Sequence, residues 1–151
     1  DDLWMSRYIL QRLSENSKGY ISFHPKPVEG DWNGAGAHIN FSTEHMREVG
    51  GEEHMKDICS ALKKEHKNLI AVYGEENEKR LTGTCETSHI DKFSYGVGDR
   101  SSSVRIPVST SQDYRGHLED RRPAANIDPY EAFSLLMETV SSVSVPETVK
   151  L

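Results

Sequence analysis

Apolar residues return at steps of three and four in three longer stretches of this chain, and the short β-prone runs between them keep no regular alternation with those stretches. A doubly wound parallel sheet needs strand and helix in turn. This order points instead to an α+β domain with an antiparallel sheet flanked by helices. Leu3, Trp4, Tyr8, Ile9 and Leu13 predict an amphipathic helix over residues 2–15, with Gly19 as its C-terminal cap. Met55, Ile58, Cys59 and Leu62 predict a second over 52–65. The third has the clearest start: Asp128 as N-cap, Pro129 at the first helical position and Glu131 placed to reach back. Its buried stripe would be Tyr130, Phe133, Leu136, Met137 and Val140.

Strands are expected over 20–27, 37–42, 103–108 and 115–121, the first broken by Pro25 and Pro27 and the third bounded by Pro107. Ser42 or Thr43 can cap a short helix over 44–48. Residues 66–73 fit either pattern. Residues 74–100 are polar and turn-rich, long enough to suspect a functional loop. The tail "SVPETVKL" is expected to fray.

The length of 151 residues suits one domain with a real core. A formal charge of -6 argues against general affinity for nucleic acid or anionic membrane. No apolar run approaches the ~20 residues that span a bilayer. Cys59 and Cys85 are the only cysteines, so a disulfide framework is not expected, a reducing compartment is, and a structural zinc site lacks ligands. The chain reads as helix almost from Asp1 without an initiator methionine, as the middle of something longer would.

Three constellations carry chemistry. In "NGAGAHINFST" (33–43) small residues let something approach the main chain, Asn33 can donate and accept, and His38 suits a metal or an anion. The plain alternative is a glycine turn before a solvent-facing histidine. In "EDRRPAANIDP" (119–129) a strand would put Glu119 and Arg121 on one face, a cation-binding carboxylate beside an anion-binding guanidinium. The plain alternative is a surface ion-pair cluster. In "GDRSSSVRIP" (98–107) Arg100 and Arg105 flank hydroxyls, and "RLTGTCETS" (80–88) sets Arg80 and Glu86 in a segment composed like a lid. Four arginines near motifs in an acidic chain suit a multiply anionic ligand, such as a nucleotide plus a carboxylate.

"GDWNGAGAHINFST", "RLTGTCETS", "GVGDRSSSVRIP" and "EDRRPAANIDPY", in this order and spacing, resemble the C-terminal catalytic region of the glutamine synthetase family in its eukaryotic-type, decameric branch. The resemblance runs from about residue 3 to about 140. It implies a ligase that joins ammonia to L-glutamate with ATP, and a divalent Mg²⁺ or Mn²⁺ requirement. It implies that His38 and Glu119 hold an ion, and that Asn33, Gly34, Arg80, Arg100 and Arg121 hold glutamate or the phosphoryl group moving to it. Asn40, Phe41, Ser42, Arg100, Arg105, His117, Leu118 and Glu119 would border ATP. Glu86 would help take a proton from ammonium, with Arg100 and Arg121 catalytic beside it. What approaches the bare Gly-Ala-Gly backbone would then be the substrate amino acid.

The same resemblance implies that residues 1–151 are the C-terminal part of the catalytic domain, with its first part and the N-terminal β-grasp domain absent. It implies a cytoplasmic homo-oligomer, a decamer of two pentameric rings, with active sites between subunits, and no activity for this piece alone. Departures are His24, where an aspartate is more usual, and Ala37, where cysteine is frequent. Two rival readings stay open: a relative that ligates glutamate to a polyamine or other amine, and a non-catalytic interaction protein on this fold.

Overall fold

The structure, a computed structural model, describes residues 1–145. Its elements are α1 (Asp2–Ser14), β1 (Ile39–Phe41), α2 (Gly51–Lys64), α3 (His66–Val72), β2 (Tyr95–Val97), β3 (Val104–Ile106), α4 (Val108–Asp113), β4 (Leu118–Asp120) and α5 (Pro129–Ser141). Single 3-10 turns cover His45–Arg47 and Asn77–Lys79. The α+β class expected from the sequence is the one observed.

The four strands form one sheet in the order β1-β4-β3-β2. β1 with β4 and β4 with β3 are antiparallel, but β2 joins β3 parallel, so the sheet is mixed rather than wholly antiparallel. A parallel neighbour needs a crossover, and the chain reverses through 98–103 to supply it. Beyond the strands the ladder continues irregularly past Pro123. Ala37 N–H donates to Pro123 O at 3.0 Å and Ala125 N–H to Ala35 O at 3.0 Å.

α2, α3 and α5 pack together behind the sheet. The α2 stripe is as its spacing predicts, with Met55, Ile58, Cys59 and Leu62 almost wholly buried among Leu69, Tyr73, Leu118, Ala132 and Leu136. Burial pushes the Cys59 thiol up to about 12, an inert group. Both cysteines are free. Thr43 Oγ1 accepts from Met46 N–H at 3.2 Å, which starts the short turn as a cap should. At α5, Asp128 accepts from the N–H groups of Tyr130 and Glu131, with Pro129 behind it. The return bond from Glu131 is absent among the described residues.

Four further expectations change. Residues 20–27 form no strand; two prolines without N–H leave little to pair, and the segment instead lies beside 33–36, with Ala35 N–H donating to Pro25 O at 2.8 Å. Gly19 caps nothing, because α1 ends at Ser14. The α1 stripe is inverted: Leu3, Trp4, Tyr8, Ile9 and Leu13 are exposed, whereas Arg7 is buried and donates to Ala125 O and Ile127 O. On α5 only Leu136 and Val140 of the expected stripe are buried, joined by Ala132 and Thr139, while Tyr130, Phe133 and Met137 face outward. Most of the tail expected to fray lies outside the described residues.

Candidate active site

Strand alternation builds the site. Asn40, Glu119 and Arg105 sit opposite one another across β1, β4 and β3, and Gly96 continues the row on β2. Successive side chains leave a strand on opposite faces, so this row stands away from the core. The adjacent row of Ile39, Asp120 and Val104 is buried beneath it. His38 and Arg121 lie one residue outside the strands, on the face of Asn40 and Glu119, at the mouth of a hollow of about 140 Å³. Asn33, Gly34, Gly36, Arg80, Cys85, Glu86 and Thr87 close its walls.

Glu119 is 6% exposed and serves three partners. Oε2 accepts from Arg105 Nε. Oε1 lies 3.3 Å from Arg121 Nη1 and 3.1 Å from His38 Nδ1. Burial by itself would raise the pKa of this carboxyl, but the Arg105 hydrogen bond and the Arg105, Arg121 and His38 charges outweigh it and hold it below the usual range. His38 is shifted down by burial, then by the Arg121 and Arg80 charges, against the opposing pull of Glu119. The imidazole is therefore neutral at pH 7. Nδ1–H faces Glu119, which leaves a lone pair on Nε2, 3.3 Å from Arg80 Nη2.

Arg80 is 5% exposed and explains the bare backbone of 33–37. A Cβ on Gly34 would lie 2.7 Å from Arg80 Cγ and 2.6 Å from Pro25 O; one on Gly36 would lie 2.5 Å from Arg80 Nη2 and 3.0 Å from His38 Nε2. Among the protein's own groups, it is the Arg80 side chain that lies against these glycines. The guanidinium donates to Arg121 O at 2.8 Å and Arg122 O at 3.1 Å. Burial first, then the Arg121 charge, lowers Arg80 to about 10, so it stays charged at neutral pH.

Arg121 joins the floor of the hollow to the segment around Glu86. Nε donates to Arg100 O at 3.2 Å and Nη2 to Glu86 O at 3.3 Å, and Arg100 Nη1 lies 3.3 Å from Glu86 Oε1. Cys85 and Glu86 both have positive φ, 50° and 59°. Two successive side chains in the left-handed region are costly, and the segment 82–89 is pinched by the Thr82–His89 bridge. The buried guanidiniums of Arg80 and Arg121 lie close enough for the Arg121 charge to lower Arg80, and Glu119 pairs with Arg121 but not with Arg80, an arrangement that an entering anion would relieve.

The structure thus brings together Asn33, Gly34, His38, Arg80, Glu86, Arg100, Arg105, Glu119 and Arg121 in or around one hollow. Asn40 lies beside it in register with Glu119. Phe41 and Leu118 turn into the core by strand alternation, so only their main chain is left for a ligand. Ser42 Oγ is held by Arg47 at 2.7 Å, and His117 sits in the turn before β4 with its N–H on Thr110 Oγ1. Thr87 and Cys85 were not singled out from the sequence; Thr87 Oγ1 donates to Arg80 O at 3.1 Å. Their signal was the lid composition alone.

His38 and Glu119 offer an imidazole lone pair and a carboxylate on one face, donors suited to Mg²⁺ or Mn²⁺. Among the described residues no third His, Cys, Asp or Glu joins them in a group that could hold an ion. They fit part of a ligand set.

A family model described as "Glutamine synthetase, catalytic domain" matches residues 1–142. The chain is 53% identical over 139 residues to glutamine synthetase of Agaricus bisporus, covering 92% of this chain and 39% of that protein. It is 54% identical over 139 residues to glutamine synthetase root isozyme B of Pisum sativum, with the same coverage. The chain therefore spans about 39% of the length of these curated relatives. In fold it resembles a cryoEM structure of Plasmodium falciparum glutamine synthetase, with a TM-score of 0.72 at 20% identity over 97% of this chain and 31% of that one.

Proposed function

Because this chain belongs to the glutamine synthetase catalytic-domain family, we propose that it forms part of an enzyme that joins ammonia to the γ-carboxyl of L-glutamate with ATP, giving glutamine, ADP and phosphate through γ-glutamyl phosphate. The observation that supports this most is the pair of buried guanidiniums, Arg80 and Arg121, facing the lid residue Glu86 across a small hollow. Arg121 shares Glu119 with Arg105, and Arg80 is a buried charge whose hydrogen-bond partners include no carboxylate.

Arg80 and Arg121 orient the glutamate and the phosphoryl group moving onto it, with Asn33 and Gly34 at the other wall. We assign the cross-strand row of Asn40, Glu119 and Arg105 to the nucleotide, with Arg100, held on Glu86, as a further cation for its phosphates. His38 and Glu119 would hold a Mg²⁺ or Mn²⁺ ion, which when bound offsets the repulsion between phosphate and carboxylate. Glu86 lies where a carboxylate can take a proton from ammonium. Its segment covers the hollow and keeps water from the acyl phosphate. Residues 1–145 contain no helix long and apolar enough to cross a membrane. The cytoplasmic decamer of two pentameric rings and the division of the catalytic domain before residue 1 belong to the same reading.

The test is Arg121→Lys in the full-length protein, with γ-glutamyl phosphate formation as the readout. Arg121 donates to Arg100 O through Nε, to Glu119 through Nη1 and to Glu86 O through Nη2, which a point charge cannot reproduce. Loss of such a contact costs on the order of 2–5 kcal/mol, about 30-fold or more in rate. A near-normal rate would take Arg121 out of the site.

A further inference from the structure

Behind the hollow, on the core side of β4, lies a buried polar cluster that the reaction scheme does not use. Asp120 and Arg122 are both fully buried. Arg122 Nε donates to Asp120 Oδ1 at 2.9 Å and Nη2 to Oδ2 at 2.6 Å, while Tyr73 Oη donates to Oδ2 at 2.9 Å. The rings of Tyr73 and Phe93 lie against the guanidinium at 5.2 and 5.1 Å. A buried ion pair is weak evidence of stability, since apolar residues of equal volume often serve as well. What this one does is visible in its neighbours.

His66, the first residue of α3, is 8% exposed and has both ring nitrogens engaged. Arg122 Nη1 is a donor only, so at 3.0 Å it requires a lone pair on His66 Nδ1. The proton is then on Nε2, which donates to Ile90 O at 2.7 Å. Ile90 is the rear foot of the lid segment: its N–H donates to Leu81 O at 2.9 Å, next to Arg80 at the front foot. Phe93 packs edge-on against the same imidazole. The carbonyl of Arg122 meanwhile accepts from Arg80 and, at 2.8 Å, from Asn77 Nδ2. One imidazole therefore connects the foot of the lid to the residue whose carbonyl carries Arg80.

We propose that His66 is a positioning residue that sets the lid over the hollow, through its Nε2–H bond to Ile90 O and its Nδ1 bond from Arg122. This rests on the reading of residues 82–89 as a lid that keeps water from γ-glutamyl phosphate. With the tie cut, water attacks the acyl phosphate in place of ammonia, regenerating glutamate and releasing phosphate. ATP is then consumed without glutamine.

The full-length protein should be compared with His66→Asn, whose amide oxygen can still accept from Arg122 but which is too short to reach Ile90 O. His66→Phe cuts both bonds, and His66→Gln keeps a donor and an acceptor as the rescue. ADP and glutamine are measured together, and hydrogen exchange is followed at the amides of 82–90. In His66→Asn and His66→Phe, ADP should exceed glutamine about twofold or more. Lid amides should exchange about tenfold faster. His66→Gln should restore both. A role in folding alone would lower the yield of folded protein and leave the ADP-to-glutamine ratio unchanged. An unchanged ratio in folded His66→Asn, with or without faster exchange, overturns the proposal. If the unsubstituted protein makes no glutamine, the assigned reaction fails. The exchange comparison then decides the tie by itself: faster exchange in His66→Asn upholds it and unchanged exchange removes it.

Discussion

Gly34 and Gly36 show how a single methyl group separates stability from function. A Cβ at residue 34 would meet the backbone oxygen of Pro25, which already accepts from Ala35 and has no room to yield. Gly34→Ala should lower stability by about 1–3 kcal/mol, read as a shift in denaturant midpoint. At residue 36 the added methyl would press on the tip of the Arg80 side chain and on His38 Nε2. Gly36→Ala should leave the midpoint nearly unchanged and raise the KM for glutamate at least tenfold, because it turns the guanidinium away from the hollow. An unaltered KM would show that Arg80 is not held for a ligand. The same reasoning separates the cysteines: Cys59 is core, whereas Cys85 lies at the lid with a positive φ.

Among the elements, the lid is short and pegged at few points. Ser103 Oγ, fully buried on the approach to β3, lies 3.0 Å from Ser88 Oγ and 3.1 Å from Lys92 O, and accepts from Ser94 N–H at 3.2 Å. Ser103→Ala leaves those groups without a partner, a penalty of about 1–3 kcal/mol. Amides across 86–94 should then exchange about 5- to 100-fold faster than in the parent, while those of α2 stay as they were. Uniform acceleration would mean that Ser103 supports the whole fold rather than the lid. In α2, His54 is buried with Nδ1 unpartnered and stacks edge-on with His45 at 5.0 Å. Burial first, then the His45 charge, lowers it from the ordinary value of about 6.5, against Asp57. The unfolded chain then binds the proton more readily than the folded one. The stability from this group is present in full above pH ~6.5 and is lost as pH falls below it. His54→Phe should flatten the dependence of Tm on pH between about 7 and 5. A slope equal to the parent's would assign the acid sensitivity to other groups.

On the scale of the whole molecule, the apolar side chains that a core would claim are divided. α2, α3 and the inner face of α5 enclose a cluster, whereas Trp4, Met5, Tyr8, Ile9 and Leu13 on α1 and Phe133 and Met137 on α5 remain exposed. Polar contacts tie each helix to the residues leading into the other, Arg7 of α1 to Ala125 and Ile127, and Tyr130 of α5 to Asp1. An apolar surface of this extent is adhesive. Purified 1–151 should bind a hydrophobic dye and self-associate. On the proposed reaction it should form no glutamine from ATP, glutamate, ammonium and Mg²⁺, since among the described residues no third ligand joins His38 and Glu119. A monodisperse, dye-silent or active 1–151 would reject this account of its surface and of its ligand set.

Local chemistry by itself determined α2, the cap of α5 and the common face of Glu119 and Arg121. Helical spacing, an N-cap oxygen and strand alternation act over a few residues and need no knowledge of distant neighbours. The arginines near motifs pointed to an anion; Arg80 and Arg121 line the hollow, and Arg100 and Arg105 join it through Glu86 and Glu119. Tertiary structure decided the rest. The parallel pairing of β2, the outward turn of the α1 stripe and the failure of 20–27 to join the sheet depend on which partners lie within reach, and no periodicity states that. Nor could spacing show that Arg80 covers Gly34 and Gly36, or that His66 joins Ile90 to Arg122, residues 24 and 56 positions away. Those contacts exist because folding closes long loops around buried charges that must find partners, and which partner each finds is fixed only when the whole chain is packed.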